Sequence, residues 1–414
     1  MSRGISALTL FPAHAKDMRT YPRIRCCLTS SPPLDQESGD DRYASALTAL
    51  ARDGRLRSLR PRQGIDFVSN DYLALAESTR LRKAVIAAIE SGTPIGAGGS
   101  RLLRGNCVEH EQLEADAADF FKAESALYFG AGYSANFAAL STLPQRGDLI
   151  VMDALSHASM REGINASRAE SVETPHNDSS AVADAIRAWR AKGGKGRPWI
   201  AVESIYSMDG DTAPLAELME IADRNDGFLY IDEAHATGVF GPEGRGLSAA
   251  YEGRVNVVAV HTCGKALGAS GALVMTTKLL RDFLVNRSRP FIFATAPSPL
   301  MAAAVSEALK ILREEPERRQ QLHDLIAQAG ETIRAQGWTP SGSQIIPYIV
   351  GHNERTMTLA AALQRRGFDI RGIRPPTVPA GTARLRISLT LNVTGTDIES
   401  MLAALKEEAQ TLQA

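Results

Sequence analysis

The stretch of sequence that decides the fold is "GFLYIDEAH", from Gly227 to His235. It begins with an apolar run, which predicts a buried strand, and it ends with two acids and a histidine. The letters DEAH also spell the second nucleotide-binding motif of a large helicase class, in which the acids hold a magnesium ion. An apolar strand that ends in Asp232, with a histidine three residues on, is equally typical of enzymes that place these groups under a cofactor ring.

A helicase motor also needs a phosphate-binding loop, GxxxxGK[ST], upstream of the acids. Both Gly-Lys pairs of the chain fail this pattern. In "AVHTCGKALG" the first glycine is replaced by Ala259 and the Ser/Thr by Ala266, and the stretch lies downstream of DEAH. In "AKGGKGRP" Trp189 stands where the first glycine should be, and Gly196 follows the lysine. The formal net charge of -1 gives no basic field for a phosphate backbone, so no nucleic-acid partner is expected.

Short apolar runs alternate with helical segments from about residue 63 onward. The runs read "IDFVSN", "ALYFG", "DLIVMD", "WIAVES", "GFLYIDEAH", "VNVVAV" and "ALVMTT". Because they are apolar throughout, they predict an α/β fold with a mainly parallel sheet that is covered on both faces. Ligands of such sheets bind at the carboxyl ends of the strands. Since His157, Asp232 and Lys265 fall at or just past such ends, we expect them to share one site.

The pattern changes near residue 300. The segment "PLMAAAVSEALKILREEPERRQQLHDLIAQAGETIRAQG" predicts a long helix interrupted near Pro316, and a smaller α+β unit with strands "IIPYIVG" and "ARLRISLTL" follows. We expect residues 1–40 to be a poorly ordered extension. The predicted division is an N-terminal extension and segment at 1–62, a large cofactor-binding domain at 63–300 and a small C-terminal domain at 301–414.

The cysteines and the apolar runs restrict the remaining classes. None of the four cysteines forms a CxxC pair, so no zinc or other metal site is expected, and their usage is that of a reduced, cytoplasmic protein. No run of 18 apolar residues occurs, so no membrane partner is expected either.

Lys265 and Asp232 together indicate a pyridoxal 5'-phosphate (PLP) enzyme. Lys265 lies in a loop of small residues, "TCGKALGASG", that a ligand can approach closely. Lysine forms Schiff bases with carbonyl compounds, and PLP is an aldehyde cofactor that acts as an electron sink. The sink requires a protonated ring nitrogen, which a carboxylate such as Asp232 can stabilise by Coulomb attraction.

The other parts of a PLP site can also be found in the sequence. His157 in "DALSHAS" could stack on the ring. The phosphate prefers backbone N–H groups at the start of a helix, together with hydroxyl groups. Gly132 and Tyr133 in "FGAGYSAN", with Thr262, offer such groups.

Each residue taken alone has a simpler structural interpretation. A single lysine is usually a solvated surface group, and Asp232 could cap the turn that follows it. His157 and His235 could be structural histidines. It is the combination of these residues on successive strand ends that favours the cofactor interpretation.

The chain resembles the α-oxoamine synthases, PLP enzymes of the aspartate-aminotransferase fold (fold type I), from about residue 42 to the C-terminus. Within that family it most resembles the branch that works in biotin biosynthesis. The motifs that carry the resemblance are "FVSNDYLAL", "GAGGSRLLRGN", "FGAGYSANFAAL", "DALSHASMREG", "SMDGDTAPLAEL", "IDEAHATGVFGPEGRG", "HTCGKALGASGAL" and "RPPTVPAGTARLRISLT".

The resemblance implies a role for each matching residue. Lys265 would hold PLP covalently, Asp232 would pair with the ring nitrogen, and His157 would stack on the ring. The further cofactor contacts implied are His235 and Ser207 near the phenolic oxygen, Gly132 and Tyr133 at the phosphate and ring edge, Thr262 at the phosphate, and Thr295 at a phosphate across a dimer interface. The implied substrate contacts are Arg386 for the amino-acid carboxylate, with Asn70, Thr377 and Arg57.

The implied reaction is the decarboxylative condensation of L-alanine with a pimeloyl thioester of CoA or acyl carrier protein, in a homodimer. Two departures from the family pattern occur. The chain has "FATAP" where relatives often have a Ser/Thr-rich stretch, and Ala236 where a glycine is common. A sibling synthase that uses glycine or serine, an aminotransferase of the same fold and a scaffold without activity remain as alternatives.

Overall fold

The computed structural model of the protein describes residues 41–412. The expected N-terminal extension at residues 1–40 lies outside the described residues. The chain divides into two compact units between Leu56 and Arg57. In the described part of the first unit, residues 41–52 form the helix α1 (Asp41–Arg52).

The second unit contains the remaining strands and helices. Its strands are β1 (Ile65–Asp66), β2 (Ser125–Phe129), β3 (Leu149–Asp153), β4 (Glu170–Thr174), β5 (Pro198–Glu203), β6 (Phe228–Asp232), β7 (Val257–Thr262), β8 (Ala272–Thr276), β9 (Ile345–Gly351), β10 (Phe368–Asp369), β11 (Arg371–Ile373) and β12 (Ala383–Ser388). Its α-helices are α2 (Thr79–Glu90), α3 (Val108–Phe120), α4 (Gly132–Thr142), α5 (Ala158–Asn165), α6 (Ser179–Ala191), α7 (Leu215–Arg224), α8 (Lys278–Arg287), α9 (Arg289–Ile292), α10 (Pro299–Glu314), α11 (Pro316–Ala335), α12 (Asn353–Arg365) and α13 (Gly395–Thr411).

Seven strands form one sheet in the order β2-β8-β7-β6-β5-β3-β4. Neighbouring strands from β7 to β4 run parallel, and β8 runs antiparallel to both of its neighbours. The central strands β5, β6 and β7 are buried along their whole length, with helices on both faces. The expected α/β fold with a mainly parallel, doubly covered sheet is therefore confirmed.

Two details of the sheet differ from the sequence prediction. The run "IDFVSN" forms only the two-residue strand β1, which pairs with β10 outside the large sheet. The edge strand β4, "ESVET", was not expected, because three of its five residues are exposed and it has no apolar run.

A second sheet, β11-β12-β9, is antiparallel and lies in the C-terminal part of the chain. The helix expected before it is indeed interrupted near Pro316, since α10 ends at Glu314 and α11 begins at Pro316. Proline lacks an N–H and fits the first position of a helix, so the break occurs there. The placing of a domain boundary at residue 300 stays a prediction.

The loop between β7 and β8 carries Lys265 and is held in a tight conformation. Gly268 has a φ of +61°, and a Cβ there would lie 2.4 Å from the backbone carbon of Leu75. Its N–H donates to the Lys265 carbonyl at 2.9 Å, and the Ala269 N–H donates to the Cys263 carbonyl at 3.0 Å. Glycine at position 268 therefore lets this loop pack against the Leu75 turn while it presents Lys265.

None of the described helices is both long and apolar enough to span a membrane.

Candidate active site

A cavity of about 360 Å³ opens at the carboxyl ends of the parallel strands. It brings together eight of the residues that the sequence predicted for the site: Asn70, Gly132, Tyr133, His157, Asp232, His235, Thr262 and Lys265. They come from five separate stretches of the chain. The expectation that these groups share one place therefore agrees with the structure.

Asp232 is the last residue of β6 and is 3% exposed. Its Oδ2 accepts a hydrogen bond from Asn136 Nδ2 at 2.6 Å, and its Oδ1 accepts one from the Ala234 N–H at 2.9 Å. Asn136 is itself oriented by Tyr230, whose hydroxyl donates to Asn136 Oδ1 at 2.7 Å. The donors stabilise a buried carboxylate, which is the group that a protonated ring nitrogen requires.

Lys265 Nζ lies 2.8 Å from His235 Nε2. On the other side of the imidazole, His235 Nδ1 lies 2.6 Å from the hydroxyl of Tyr72, which donates to Asn70 Oδ1 at 3.0 Å. Which of the two ring nitrogens of His235 donates and which accepts depends on the tautomer of the imidazole. Lys265 thus ends a hydrogen-bonded chain that leads to Asn70.

Burial lowers the pKa of Lys265 to about 8, although the charges of Asp232 and Glu203 oppose that change. Burial also holds the pKa of His235 well below its usual range, and the nearby Lys265 and Arg386 cations lower it further. His235 is therefore neutral near pH 7, and an appreciable fraction of Lys265 is available as the free amine.

His157 is the N-cap of α5, and its ring is fixed by a neighbouring serine. Its Nδ1 accepts the Ser159 N–H at 3.2 Å and lies 2.8 Å from Ser159 Oγ. Partial burial lowers the pKa of His157, so the ring is neutral where it lines the cavity. Ser159 Oγ also accepts a hydrogen bond from Asn136 Nδ2 at 2.9 Å, which links His157 to the group that holds Asp232.

The helix α4 starts at the cavity with a sequence that leaves its first N–H groups uncapped. Its N-cap, Ala131, has no side chain that could accept a hydrogen bond. A Cβ at Gly132 would lie 2.5 Å from Thr262 Cγ2, so only glycine allows this helix start to approach the end of β7. The backbone of residues 131–133 and the Thr262 hydroxyl thus form a site suited to a phosphate group.

Arg386 is buried on β12 and reaches the cavity through Asn70. Its Nη2 donates to Asn70 Oδ1 at 3.0 Å, its Nε to the Ser207 carbonyl at 2.6 Å, and its Nη1 to Ser388 Oγ at 2.6 Å. These bonds place its charge next to the wall of the cavity and away from solvent.

A second cavity of about 470 Å³ adjoins the first at His157, which lines both. Ser207, Thr377 and Arg57, all predicted from the sequence, line this second cavity. Arg57 Nη2 lies 3.4 Å from Thr377 Oγ1 on the exposed side. Of the predicted site residues, Thr295 is exposed and lines neither cavity in the single chain.

Glu203 is a cavity residue that the sequence reasoning missed. It ends β5, pairs in register with Asp232 and is 2% exposed. Its Oε2 accepts the Ser207 N–H at 3.1 Å, while its Oε1 has no hydrogen-bond partner among the described residues. Burial and the charge of Asp232 raise the pKa of Glu203 to about 8. The signal was present in "WIAVES", where an acid ends the strand beside the one that ends in Asp232.

The comparison with protein families matches residues 62–405 to the model described as aminotransferase class I and II. The chain belongs to the aminotransferase class I and II family. It is 41% identical over 383 residues to the 8-amino-7-oxononanoate synthase of Anaeromyxobacter dehalogenans, with 88% of this chain and 94% of that protein covered. This relationship confirms the resemblance to the α-oxoamine synthases.

Solved structures of family members have the same fold. A serine palmitoyltransferase variant from S. paucimobilis with a bound PLP-myriocin aldimine superposes with a TM-score of 0.82 at 25% identity, over 90% of this chain and 98% of that chain. An 8-amino-7-oxononanoate synthase from Francisella tularensis superposes with a TM-score of 0.72 at 28% identity, over 85% and 99%.

The residues of the first cavity fit the cofactor of this family, PLP. The cavity combines a partly buried amine on Lys265, a buried carboxylate on Asp232 and an uncapped helix start at Gly132. The amine can bond to the aldehyde of PLP, the carboxylate can pair with its protonated ring nitrogen, and the N–H groups of the helix start can bind its phosphate. The protein is thus a PLP-dependent member of the family.

Glu203 gives a testable pH dependence of stability. A carboxyl whose pKa is raised from 4.5 to about 8 stabilises the folded protein below about pH 4.5, and this stabilisation is lost as the pH rises through 8. Because glutamine does not ionise, we expect the unfolding free energy of the cofactor-free protein to fall less between pH 5 and pH 8 in Glu203→Gln than in the wild type. The two changes should differ by at least ~1.4 kcal/mol, the equivalent of one pKa unit.

Chemical denaturation at the two pH values measures this difference. Glu331→Gln, at an exposed position of α11, is the matched control and should leave the pH dependence unchanged. The same pH dependence in Glu203→Gln as in the wild type would show that Glu203 is ionised throughout this range.

Proposed function

We propose that the protein condenses L-alanine with a pimeloyl thioester, releasing the thiol and CO2, to form 8-amino-7-oxononanoate for biotin biosynthesis. The observation that carries the proposal is the single cavity that holds Lys265 and Asp232, in a chain 41% identical to proteins named 8-amino-7-oxononanoate synthase. The acyl donor can be a thioester of CoA or of acyl carrier protein.

The carbon skeleton of the product specifies both substrates. A nine-carbon acid with a ketone at carbon 7 consists of a seven-carbon diacid residue joined through its thioester carbonyl to a two-carbon unit. Carbon 8, which carries the amino group, is the α-carbon of alanine. The methyl carbon 9 is the alanine side chain. The amino-acid carboxyl group is absent from the product, so it leaves as CO2.

PLP, when bound, supplies an electron-accepting ring that stabilises negative charge on the α-carbon of the amino acid. In this proposal the aldehyde of PLP is bound by Lys265, its ring nitrogen by Asp232 and its ring face by His157. The phosphate and ring edge would be held by Gly132, Tyr133 and Thr262, and the phenolic oxygen would lie near His235 and Ser207.

Lys265 is proposed to remove the α-proton of the amino acid. Its pKa of about 8 makes the free amine available near neutral pH, and its hydrogen bond to His235 fixes the direction of Nζ. Arg386 supplies the buried positive charge for the amino-acid carboxylate, with Asn70 beside it. The low exposure of Arg386 and Asp232 strengthens both electrostatic interactions.

The second cavity is proposed to bind the acyl donor. Its walls include Leu155, Met208 and Val378, which suit the methylene groups of a pimeloyl chain. Arg57 and Thr377 lie at the exposed side, where a polar part of the donor can contact them. Since His157 lines both cavities, the thioester carbonyl can meet the α-carbon beside that residue.

The amino acid is the main point at which a sibling enzyme would differ. A synthase acting on serine is a specific second candidate, because serine palmitoyltransferases have the same fold at a TM-score of 0.82. An aminotransferase of the same fold would need Lys265 and Asp232 but would release no thiol from an acyl thioester.

A panel of substrates scored by thiol release separates these activities. Alanine, glycine and serine are each combined with pimeloyl-CoA, pimeloyl acyl carrier protein and palmitoyl-CoA. We expect release only with alanine and a pimeloyl donor, with one CO2 formed for each thiol. Release with glycine or serine instead would assign a sibling synthase, and amino transfer to a keto acid without thiol release would assign an aminotransferase.

We also propose that the active form is a homodimer in which Thr295 completes the phosphate site of the partner chain. Thr295 lies on a segment that is joined to the 95–99 loop, because the Ala296 N–H donates to the Gly99 carbonyl at 2.9 Å. Large apolar side chains are exposed along these two segments and the start of α3: Ile95, Leu102, Leu103, Val108 and Phe293. A second copy of the chain would bury this apolar surface.

Mixed dimers test the assignment of Thr295. In a dimer of one Lys265→Ala chain and one Thr295→Ala chain, the site that keeps Lys265 faces the intact Thr295 of the other chain. We expect that site to bind PLP as tightly as the wild type, whereas the Thr295→Ala homodimer should bind it about tenfold more weakly. Weak binding at that site of the mixed dimer would show that Thr295 acts within its own chain.

A further inference from the structure

Two consecutive residues outside the cofactor cavity, His176 and Asn177, bridge a pair of carboxylates. The ring nitrogens of His176 lie 2.9 Å from Asp153 Oδ1 and 2.8 Å from Asp211 Oδ2. The Asn177 N–H donates to Asp153 Oδ2 at 2.8 Å, and Asn177 Nδ2 donates to Asp211 Oδ2 at 2.8 Å. The two residues thus make two hydrogen bonds to each carboxylate.

The two carboxylate partners favour the positively charged form of His176, which has one N–H for each of them. A neutral imidazole has one N–H, so one of its nitrogens would direct a lone pair at a carboxylate oxygen. Burial alone would lower the pKa of His176, but the hydrogen bonds to Asp153 and Asp211 raise it to about 10. The other titratable group packed on the ring is Tyr206, which lies edge-on at 4.4 Å between ring centroids.

Each of the two carboxylates belongs to a loop that carries a residue of the proposed site. Asp153 ends β3, and its Oδ1 accepts a backbone N–H two residues on, at 2.7 Å, in the turn that leads to His157. The carbonyl of Asp211 accepts the N–H of Tyr206 at 3.0 Å, which closes the loop that presents Ser207. His176 and Asn177 therefore connect the loop of His157 to the loop of Ser207.

The same two loops are walls of the second cavity. Residues 154–158 line one side and residues 206–209 line another. The Ser207 loop is also held from the small antiparallel sheet, where Arg386 Nε donates to its carbonyl and Arg384 contacts Asp209. The bridge from His176 and Asn177 thus joins this loop to the β3 side of the large sheet as well.

We propose that His176 and Asn177 form a charged clamp that fixes the spacing between the His157 loop and the Ser207 loop. His176 is on this account a positioning residue: it touches neither cavity but determines how His157 and Ser207 meet PLP. The effect of the clamp on PLP rests on the family alone. Its effect on the second cavity, which is proposed to bind the acyl donor, rests on the proposed function.

The charge on His176 can be measured directly. Full-length holoenzyme with ¹⁵N-labelled histidine, recorded at pH 8, should show one histidine with protons on both ring nitrogens. That signal should disappear in His176→Gln and remain in His352→Gln, a matched change at an exposed histidine. A pattern of one proton and one lone pair for His176 at pH 8 would overturn the clamp.

The consequence for the site is measured as the dissociation constant of PLP from the holoenzyme. We expect His176→Gln to raise it about tenfold at equal folded fraction, because a charged hydrogen bond at a partly exposed position is lost. His352→Gln should leave it unchanged. A value for His176→Gln within twofold of the His352→Gln value would overturn the positioning role, whatever substrates the enzyme proves to use.

Asp211→Asn separates positioning by charge from a merely structural role, and it serves if His176→Gln does not fold. The amide oxygen can still accept a hydrogen bond from the His176 N–H. The substitution removes one of the two negative charges beside His176, so the pKa of His176 falls. The ratio of the variant to wild-type PLP dissociation constants should therefore rise between pH 7 and pH 9. The same ratio for His176→Gln should be constant with pH. A constant ratio for Asp211→Asn would also overturn the clamp.

Discussion

The buried hydrogen bond between Asn136 and Asp232 is the interaction on which the rest of the site depends. A carboxylate at a 3% exposed position is stable only if donors replace the water it has lost. Asn136 provides one at 2.6 Å and also donates to Ser159, which holds His157. Because Asn136 lies on α4, the helix whose start forms the phosphate site, one amide fixes the groups for the ring nitrogen, the ring face and the phosphate.

The ionisable groups of the cavity also differ in which of them carries a proton. Asp232 has donors on both oxygens, whereas Glu203, its partner in register on β5, has one oxygen without a partner. Two carboxylates so close cannot both be ionised at low cost, and the proton belongs on the one with fewer donors. Burial in the same cavity disfavours the protonated form of Lys265 and lowers its pKa. Part of its amine is therefore unprotonated and able to act as a base.

The sequence was sufficient for most of the sheet and most of the cavity, because both follow from local patterns. Apolar runs predicted the parallel strands, and Asp232, His157 and Lys265 could be placed because they follow strand ends. Contacts such as Tyr72 with His235, 163 residues apart, have no local pattern and could not be predicted. Thr295 shows the opposite case, since a motif implied its role but the single chain does not bring it to the cavity.

The attachment of the cofactor tests the central claim most directly. Borohydride reduction of the PLP-loaded protein, followed by peptide mass spectrometry, should find the reduced cofactor on the peptide that contains Lys265. Lys278→Ala, at an exposed lysine of α8, should retain the modification, and Lys265→Ala should lose it together with thiol release. The cofactor on another lysine, or full activity in Lys265→Ala, would contradict the assignment of this cavity as the active site.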